Sequence, residues 1–190
     1  MTDASLTELR GKVIDNPNLS AWEVPRALSD VTDGFLSQLY ADEIHGDSGI
    51  ALVALGGYGR SELSPSSDLD LMLVHNERDD IDALADRIWY PLWDEGFKLG
   101  HSVRSVDQTL RLAATDLETA TSLLNARLVT GDSSLVEELL ARNELQWAGQ
   151  DSERLDELAR NVARRHRLAG EVAFLLEPDL KEGRGGLRDV

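Results

Sequence analysis

The sequence predicts an α+β protein: a small mixed sheet flanked by helices over residues 1–105, then a helical subdomain over residues 106–190. Three observations predict it. Two short apolar runs, Ile50–Leu55 and Leu71–Val74, bracket a glycine pair and the triplet Asp68-Leu69-Asp70. Apolar runs of this length bounded by polar turns read as buried strands, and Phe97 to Arg104 (FKLGHSVR) reads as a third. From Ser105 onward apolar positions recur at helical spacing almost throughout.

Composition narrows the class. With 42% hydrophobic and 28% charged residues the chain is that of a soluble globular protein, and no apolar run approaches the ~20 residues that span a bilayer. The N-terminus lacks a basic start followed by an apolar core, so a cytoplasmic location is expected. Without cysteine there is no disulfide, thiol nucleophile or zinc–thiolate site. The net charge of −16 repels a nucleic-acid backbone, so no nucleic-acid partner is expected; an anionic substrate would need a metal and a few placed arginines.

In chain order, Thr2 to about Ile14 predicts a short helix closed by Asn16-Pro17-Asn18. Ser20 and Glu23 have the spacing of a capping box for a helix to Glu43, whose Val24, Leu28, Val31, Phe35 and Leu39 form one apolar face. Asp42, Glu43, His45 and Asp47 read as a solvated loop rather than a metal site. After the two strands, Ile81 to Glu95 predicts an amphipathic helix kinked at Pro91, with Trp89, Tyr90 and Trp93 packing it on the sheet. Ser105/Gln108 and Thr115/Glu118 predict two further capped helices. Leu135 to Leu145 and Ser152 to Ala169 predict two more, the second with Arg164 to Arg167 on a solvated face. The Gly/Arg-rich close, Leu176 to Val190, completes neither helix nor strand and reads as a cut from a longer protein.

The chemistry lies between the first two strands. Side chains at i and i+2 on a strand share a face, so Asp68 and Asp70 project together, and two carboxylates so close repel unless a cation sits between them. Hard oxygen ligands beside a glycine turn suit Mg²⁺ carrying a nucleotide's phosphates. Gly56 and Gly57 leave backbone N–H groups open to phosphate, Arg60 can offset charge on a triphosphate, and Ser67 can help position phosphate or metal. No GxxxxGK[ST] is present, and Pro65 follows too soon for a dinucleotide-binding helix.

The stretch LGGYGRSELSPSSDLDLMLV resembles the active-site motif of the DNA polymerase β-type nucleotidyltransferase superfamily. With GHSVRS at Gly100 to Ser105 and LEPDLKEGRGGLRDV at Leu176 to Val190, the chain resembles, more narrowly, the bacterial PII uridylyltransferase/uridylyl-removing enzymes from about residue 20 to its end. The resemblance implies a polymerase β-like nucleotidyltransferase core, phosphates cradled at Gly56 and Gly57, and catalytic Asp68 and Asp70 holding Mg²⁺. It also implies transfer of UMP from UTP to a tyrosine of the PII nitrogen-signalling protein. Full-length members add a nucleotide-removing HD domain and glutamine-sensing ACT domains. Adenylyl transfer from ATP, to PII or to glutamine synthetase, is the alternative within this chemistry; a non-catalytic nucleotide-binding module is the alternative outside it.

Two points stay open at this level. The superfamily's third carboxylate is missing from FKLGHSVR, leaving Asp107 or Asp116, or a site of two carboxylates; His101 is the nearest general-base candidate, with a structural role equally open. Lys181, Arg184 and Arg188 read either as an anion-binding lobe closing on the triphosphate or as a linker packed on a further domain.

Overall fold

A computed structural model describes residues 4–44 and 49–189, the side chains of residues 150 and 151 excepted. The predicted start at Thr2, and His45 and Asp47 of the acidic loop, lie outside the described residues. The chain divides into two compact units, Met1–Glu144 and Leu145–Val190.

In the first unit, α1 (Leu6–Ile14) starts where the Ser5 hydroxyl accepts from the Glu8 N–H. Helix α2 (Val24–Glu43) begins one turn later than the Ser20/Glu23 spacing predicts. The Ser20 hydroxyl donates to the Glu23 carboxylate (2.7 Å) instead of capping the Glu23 N–H, so the pair closes a turn and Pro25 enters the helix as its second residue.

Among the described residues the sheet has four strands in the order β3-β2-β1-β4: β1 Ile50–Ala54, β2 Leu69–His75, β3 Leu99–Ser105 and β4 Arg127–Gly131. Strand β1 runs antiparallel to β2 and β4, while β2 and β3 are parallel, so the sheet is mixed. The parallel pair needs a crossover, which α4 (Ile81–Asp94) supplies. Strand β4 lies in the stretch read as helical. The reading missed it because RLVTG is short and only half-buried, and its pairing with β1 is invisible to local periodicity.

Period-2 alternation gives the sheet two apolar faces. Ile50, Leu52, Ala54, Leu69, Leu71 and Leu73 pack with Leu28, Leu36 and Tyr40 of α2 and Ile88, Trp89 and Leu92 of α4. Burial of these side chains, at roughly 1.5–3 kcal/mol each, is the main force holding the helices to the sheet. On the other face Met72 meets the Thr109 hydroxyl of α5 (Val106–Ala113) at 3.9 Å. Of the predicted aromatic contacts, Trp89 is buried, while Tyr90 is 56% and Trp93 38% exposed.

The Ser105/Gln108 capping box forms in full at the start of α5. The Thr115/Glu118 box does not: Asp116 caps α6 (Leu117–Leu123) by accepting from the Thr119 N–H at 2.7 Å, because a carboxylate one residue nearer the helix is the stronger cap. The two last predicted helices are one, α7 (Ser133–Ala169), and the boundary between the compact units falls inside it.

The second unit contains the end of α7 and a folded-back tail, more ordered than the Gly/Arg-rich sequence suggests. Val172 N–H donates to Arg184 O, Arg184 N–H to Gly170 O, and Leu187 N–H to Leu180 O. Asp189 accepts from the Gly185 N–H and pairs with Arg165 and His166 of α7. Half of the basic run is thus structural, while Arg164 and Arg167 are exposed. No helix among the described residues is long and apolar enough to cross a membrane.

Candidate active site

The site is built at the end of β1. After Ala54 the chain leaves the sheet into α3 (Gly56–Gly59), a single turn whose first N–H groups have no partner inside the helix. Strand β2 runs on past the end of β1, so Asp70 stands beside this turn; its carbonyl accepts from the Leu55 N–H at 2.9 Å. Asp68 immediately precedes β2, and both aspartates are exposed while Leu69 and Leu71 are buried.

The three glycines of the turn do different things. Gly56 has φ +56°, a conformation that disfavours any side chain, and a Cβ there would lie 2.9 Å from the Asp70 Oδ2. Gly59 is a packing glycine: a Cβ would stand 1.9 Å from the Asn125 carbonyl oxygen. Gly57 meets neither limit, since its nearest neighbours would be 3.7 Å and 3.9 Å away. Nothing within the fold demands glycine at 57, whereas close approach of a ligand to the backbone would.

Partial desolvation of the Asp70 carboxyl, whose oxygens lie against Gly56 and Gly100 although the residue as a whole is exposed, and secondly the negative charge of Asp68, push its pKa above the ordinary carboxylate range. A divalent cation would relieve both. Among the described residues no three carboxylate or histidine side chains converge, and the Asp68/Asp70 pair would give a cation two carboxylates. That donor set fits Mg²⁺, which is commonly held by one or two carboxylates and takes its remaining ligands from water and substrate phosphates.

The other sequence candidates are distributed as follows. Arg60 caps the end of α3 and pairs with Glu62 (2.7 Å) while remaining half-exposed beside Gly57. The Ser67 hydroxyl donates to Ser64 O (3.0 Å) and accepts from Ser64 N–H (3.2 Å), so it shapes the loop that delivers Asp68. Lys181, Arg184 and Arg188 belong to the second unit, where Arg184 pairs with Glu171 (3.0 Å) and Arg188 with Glu182 (2.9 Å).

His101 does not face the carboxylates. Its register partner is Leu71, on the opposite face from Asp70, and its ring lies 5.6 Å from Trp89 and 5.2 Å from Trp93. The residue is exposed and its ring contacts are with the two tryptophans of α4. Asp107 pairs with Arg142 (2.7 Å), Asp116 caps α6, and neither β3 nor β4 carries a carboxylate.

Sequence reasoning missed the brace behind the turn. The Tyr58 hydroxyl of α3 donates to Asp33 of α2 at 2.6 Å, and Arg127 of β4 donates to both Asp33 oxygens and to the carbonyls of Tyr58 and Gly59. Burial, and then the Asp33 hydrogen bond, push the Tyr58 phenol up, so it keeps its proton and stays a donor. Asp33 on the polar side of a helix and Arg127 in an unrecognised strand gave no local signal. Arg10 of α1, itself buried, holds the loop that leads to Asp68, donating to Ser64 O and Pro65 O at 3.0 Å and 3.3 Å.

The family described as GlnD PII-uridylyltransferase matches residues 153–190. Over 167 residues, 87% of this chain, the sequence is 51% identical to the bifunctional uridylyltransferase/uridylyl-removing enzyme of Streptomyces coelicolor, and the match covers 20% of that enzyme. The enzyme of the same name from Mycobacterium tuberculosis is 46% identical over 75% of this chain and 18% of its own length. That of Phenylobacterium zucineum is 36% identical over 95% and 21%, respectively. The chain is thus homologous to these enzymes over most of its length and spans about a fifth of theirs. Among solved structures, a toxin–antitoxin crystallised with AMP-PNP is similar at TM-score 0.44 and 12% identity, over 67% of this chain and 96% of that one.

Proposed function

We propose, from a homology to bifunctional uridylyltransferase/uridylyl-removing enzymes that runs over most of the chain, that this protein is a cytoplasmic Mg²⁺-dependent nucleotidyltransferase. It transfers UMP from UTP to a tyrosine of a PII-type signalling protein. The structural observation that carries the reading is the exposed Asp68/Asp70 pair at the start of β2, set against a glycine turn whose Gly57 has no packing reason to be glycine.

In this reading the backbone of Gly56 and Gly57 binds the triphosphate and Arg60 swings from Glu62 to offset its charge. The acceptor tyrosine oxygen bonds to the α-phosphorus, the bond to the bridging oxygen breaks, and pyrophosphate leaves. Asp68 and Asp70 would hold Mg²⁺, which supplies charge neutralisation at the phosphates and eases loss of the proton from a phenol whose ordinary pKa is about 10. Binding energy placed on the non-reacting phosphates holds the α-phosphorus in line for attack. Lys181, Arg184 and Arg188 of the second unit are proposed as further anion-binding residues, Arg184 and Arg188 leaving Glu171 and Glu182 when they bind an anion.

The test incubates the chain with Mg²⁺, PII and either UTP or ATP labelled at the α-phosphate. The full-length Streptomyces coelicolor relative serves as the positive control. Label on PII from UTP is the expected result. Label from ATP alone would make the protein an adenylyltransferase, and nucleotide binding with no label from either would make it a non-catalytic module.

A further inference from the structure

We propose that Gly100 is a positioning residue for the Asp70 carboxylate, and that the pair Gly56/Gly100 fixes the orientation in which Asp70 meets its cation. The inference rests on the metal reading of Asp70 given above and adds a role for a residue in a strand that contributes no metal ligand.

Parallel pairing of β2 with β3 sets Gly100 directly beside Asp70, on the same face of the sheet. The Asp70 side chain leans across the Gly100 α-carbon so closely that a Cβ on Gly100 would lie 2.2 Å from Oδ1 and 3.4 Å from Cγ. On the other side Oδ2 lies 2.9 Å from where a Gly56 Cβ would stand. Each carboxylate oxygen therefore abuts a different glycine, one in the turn after β1 and one on β3. The floor on which Asp70 rests is bare backbone.

The atoms that a Gly100 side chain would meet are the informative part. All three nearest belong to Asp70, and Gly100 is itself exposed at an edge strand with an ordinary φ. A methyl group there meets no other strand and no core side chain at close range. The adjustment it forces falls on one flexible side chain, which must rotate away to another staggered position. Such a substitution spares the fold and misdirects the carboxylate. It also explains the two-carboxylate site: the position beside Asp70 on β3 has no room for any side chain while Asp70 keeps this orientation, so no third ligand can stand there.

Gly100→Ala, Asp70→Ala and the double variant test the proposal through Mg²⁺ titration and through the Asp70 χ1 angle, read from NMR couplings in the metal-free protein. The expected result for Gly100→Ala is a changed χ1, Mg²⁺ affinity at least tenfold weaker, as for other groups that orient metal ligands, and an unchanged melting temperature. In the Asp70→Ala background the Gly100 substitution should weaken Mg²⁺ binding no further, because the two act through one carboxylate. A native χ1 and native Mg²⁺ affinity in Gly100→Ala, beside weakened binding in Asp70→Ala, would overturn the role of Gly100 alone. Native Mg²⁺ binding in Asp70→Ala would overturn the metal reading itself. Should Gly100→Ala unfold, recovery of the fold in the double variant would support the clash with Asp70, and failure to recover would refute it.

Discussion

Arg127, the first residue of β4, grips Asp33 in the middle of α2 with both arms of its guanidinium, at 2.7 Å and 3.1 Å. The two are 94 residues apart in sequence, and the Tyr58 hydroxyl shares the same carboxylate. The pair thus joins a core helix, a sheet edge and the glycine turn at one point. With side chains only 29% and 26% exposed, it is shielded enough from water to count energetically. Asp33→Ala leaves the guanidinium and the phenol without their acceptor and should lower stability by about 2 kcal/mol. Thermal unfolding reads this as a melting temperature about 4–8 °C lower. A smaller change than about 1 °C would mean the brace is not structural.

The glycine turn allows a paired prediction. Gly59→Ala drives a methyl into the Asn125 and Ala54 carbonyl oxygens and should destabilise the protein by about 3 kcal/mol. Gly57→Ala meets only ordinary contacts and should melt at or slightly above the native temperature, since alanine is the better helix former. It should nevertheless weaken UTP binding at least tenfold in calorimetric titration. Native affinity would show that the turn's backbone is not the phosphate anchor.

Asp70→Asn should abolish nucleotidyl transfer and weaken Mg²⁺ binding while leaving the circular dichroism spectrum intact. The metal-free variant should also melt no lower than the native protein at neutral pH. The sign follows from linkage. The folded-state pKa is raised, first by burial and then by Asp68, so the native state holds its proton longer than the unfolded chain. Stability is then lost as pH rises through the unfolded value toward the folded one, and an uncharged side chain escapes that loss. Near-normal transfer by this variant would put the metal site elsewhere.

Asp189 behaves in the opposite sense. Its hydrogen bond with His166 and then that from the Gly185 N–H hold its carboxyl below the ordinary range. Its contribution to the tail is present above the unfolded carboxylate pKa, about 3.9, and disappears only as pH falls through the lower folded value. Protection of the Gly185 amide from hydrogen exchange should persist down to that range and be lost below it, and Asp189→Asn should lower it wherever the native carboxylate is ionised. Protection lost already at pH 6 would refute the assignment.

How much was legible in the sequence depended on distance along the chain. The Ser105/Gln108 cap and the apolar faces of α2 and α4 are local patterns that the fold contains, whereas Asp68 lies just before β2 rather than on it. The Thr115 cap failed because two neighbouring residues competed for one helix end, and the nearer carboxylate prevailed. Strand β4 failed because five half-buried residues carry little periodicity, and only their pairing with β1 makes them a strand. His101 stood near the aspartates in expectation, yet the parallel register turned it to the tryptophans.

By itself the sequence determined the α+β layout, the glycine turn and the two adjacent carboxylates, because each is written within a few residues and enforced by backbone geometry. Tertiary structure alone decided what surrounds them. It set Gly100 against Asp70, braced Tyr58 with Asp33 and Arg127, and removed His101 from the site. Those relations depend on strand register and on segments brought together from as far as 94 residues apart, and no local pattern specifies such an approach.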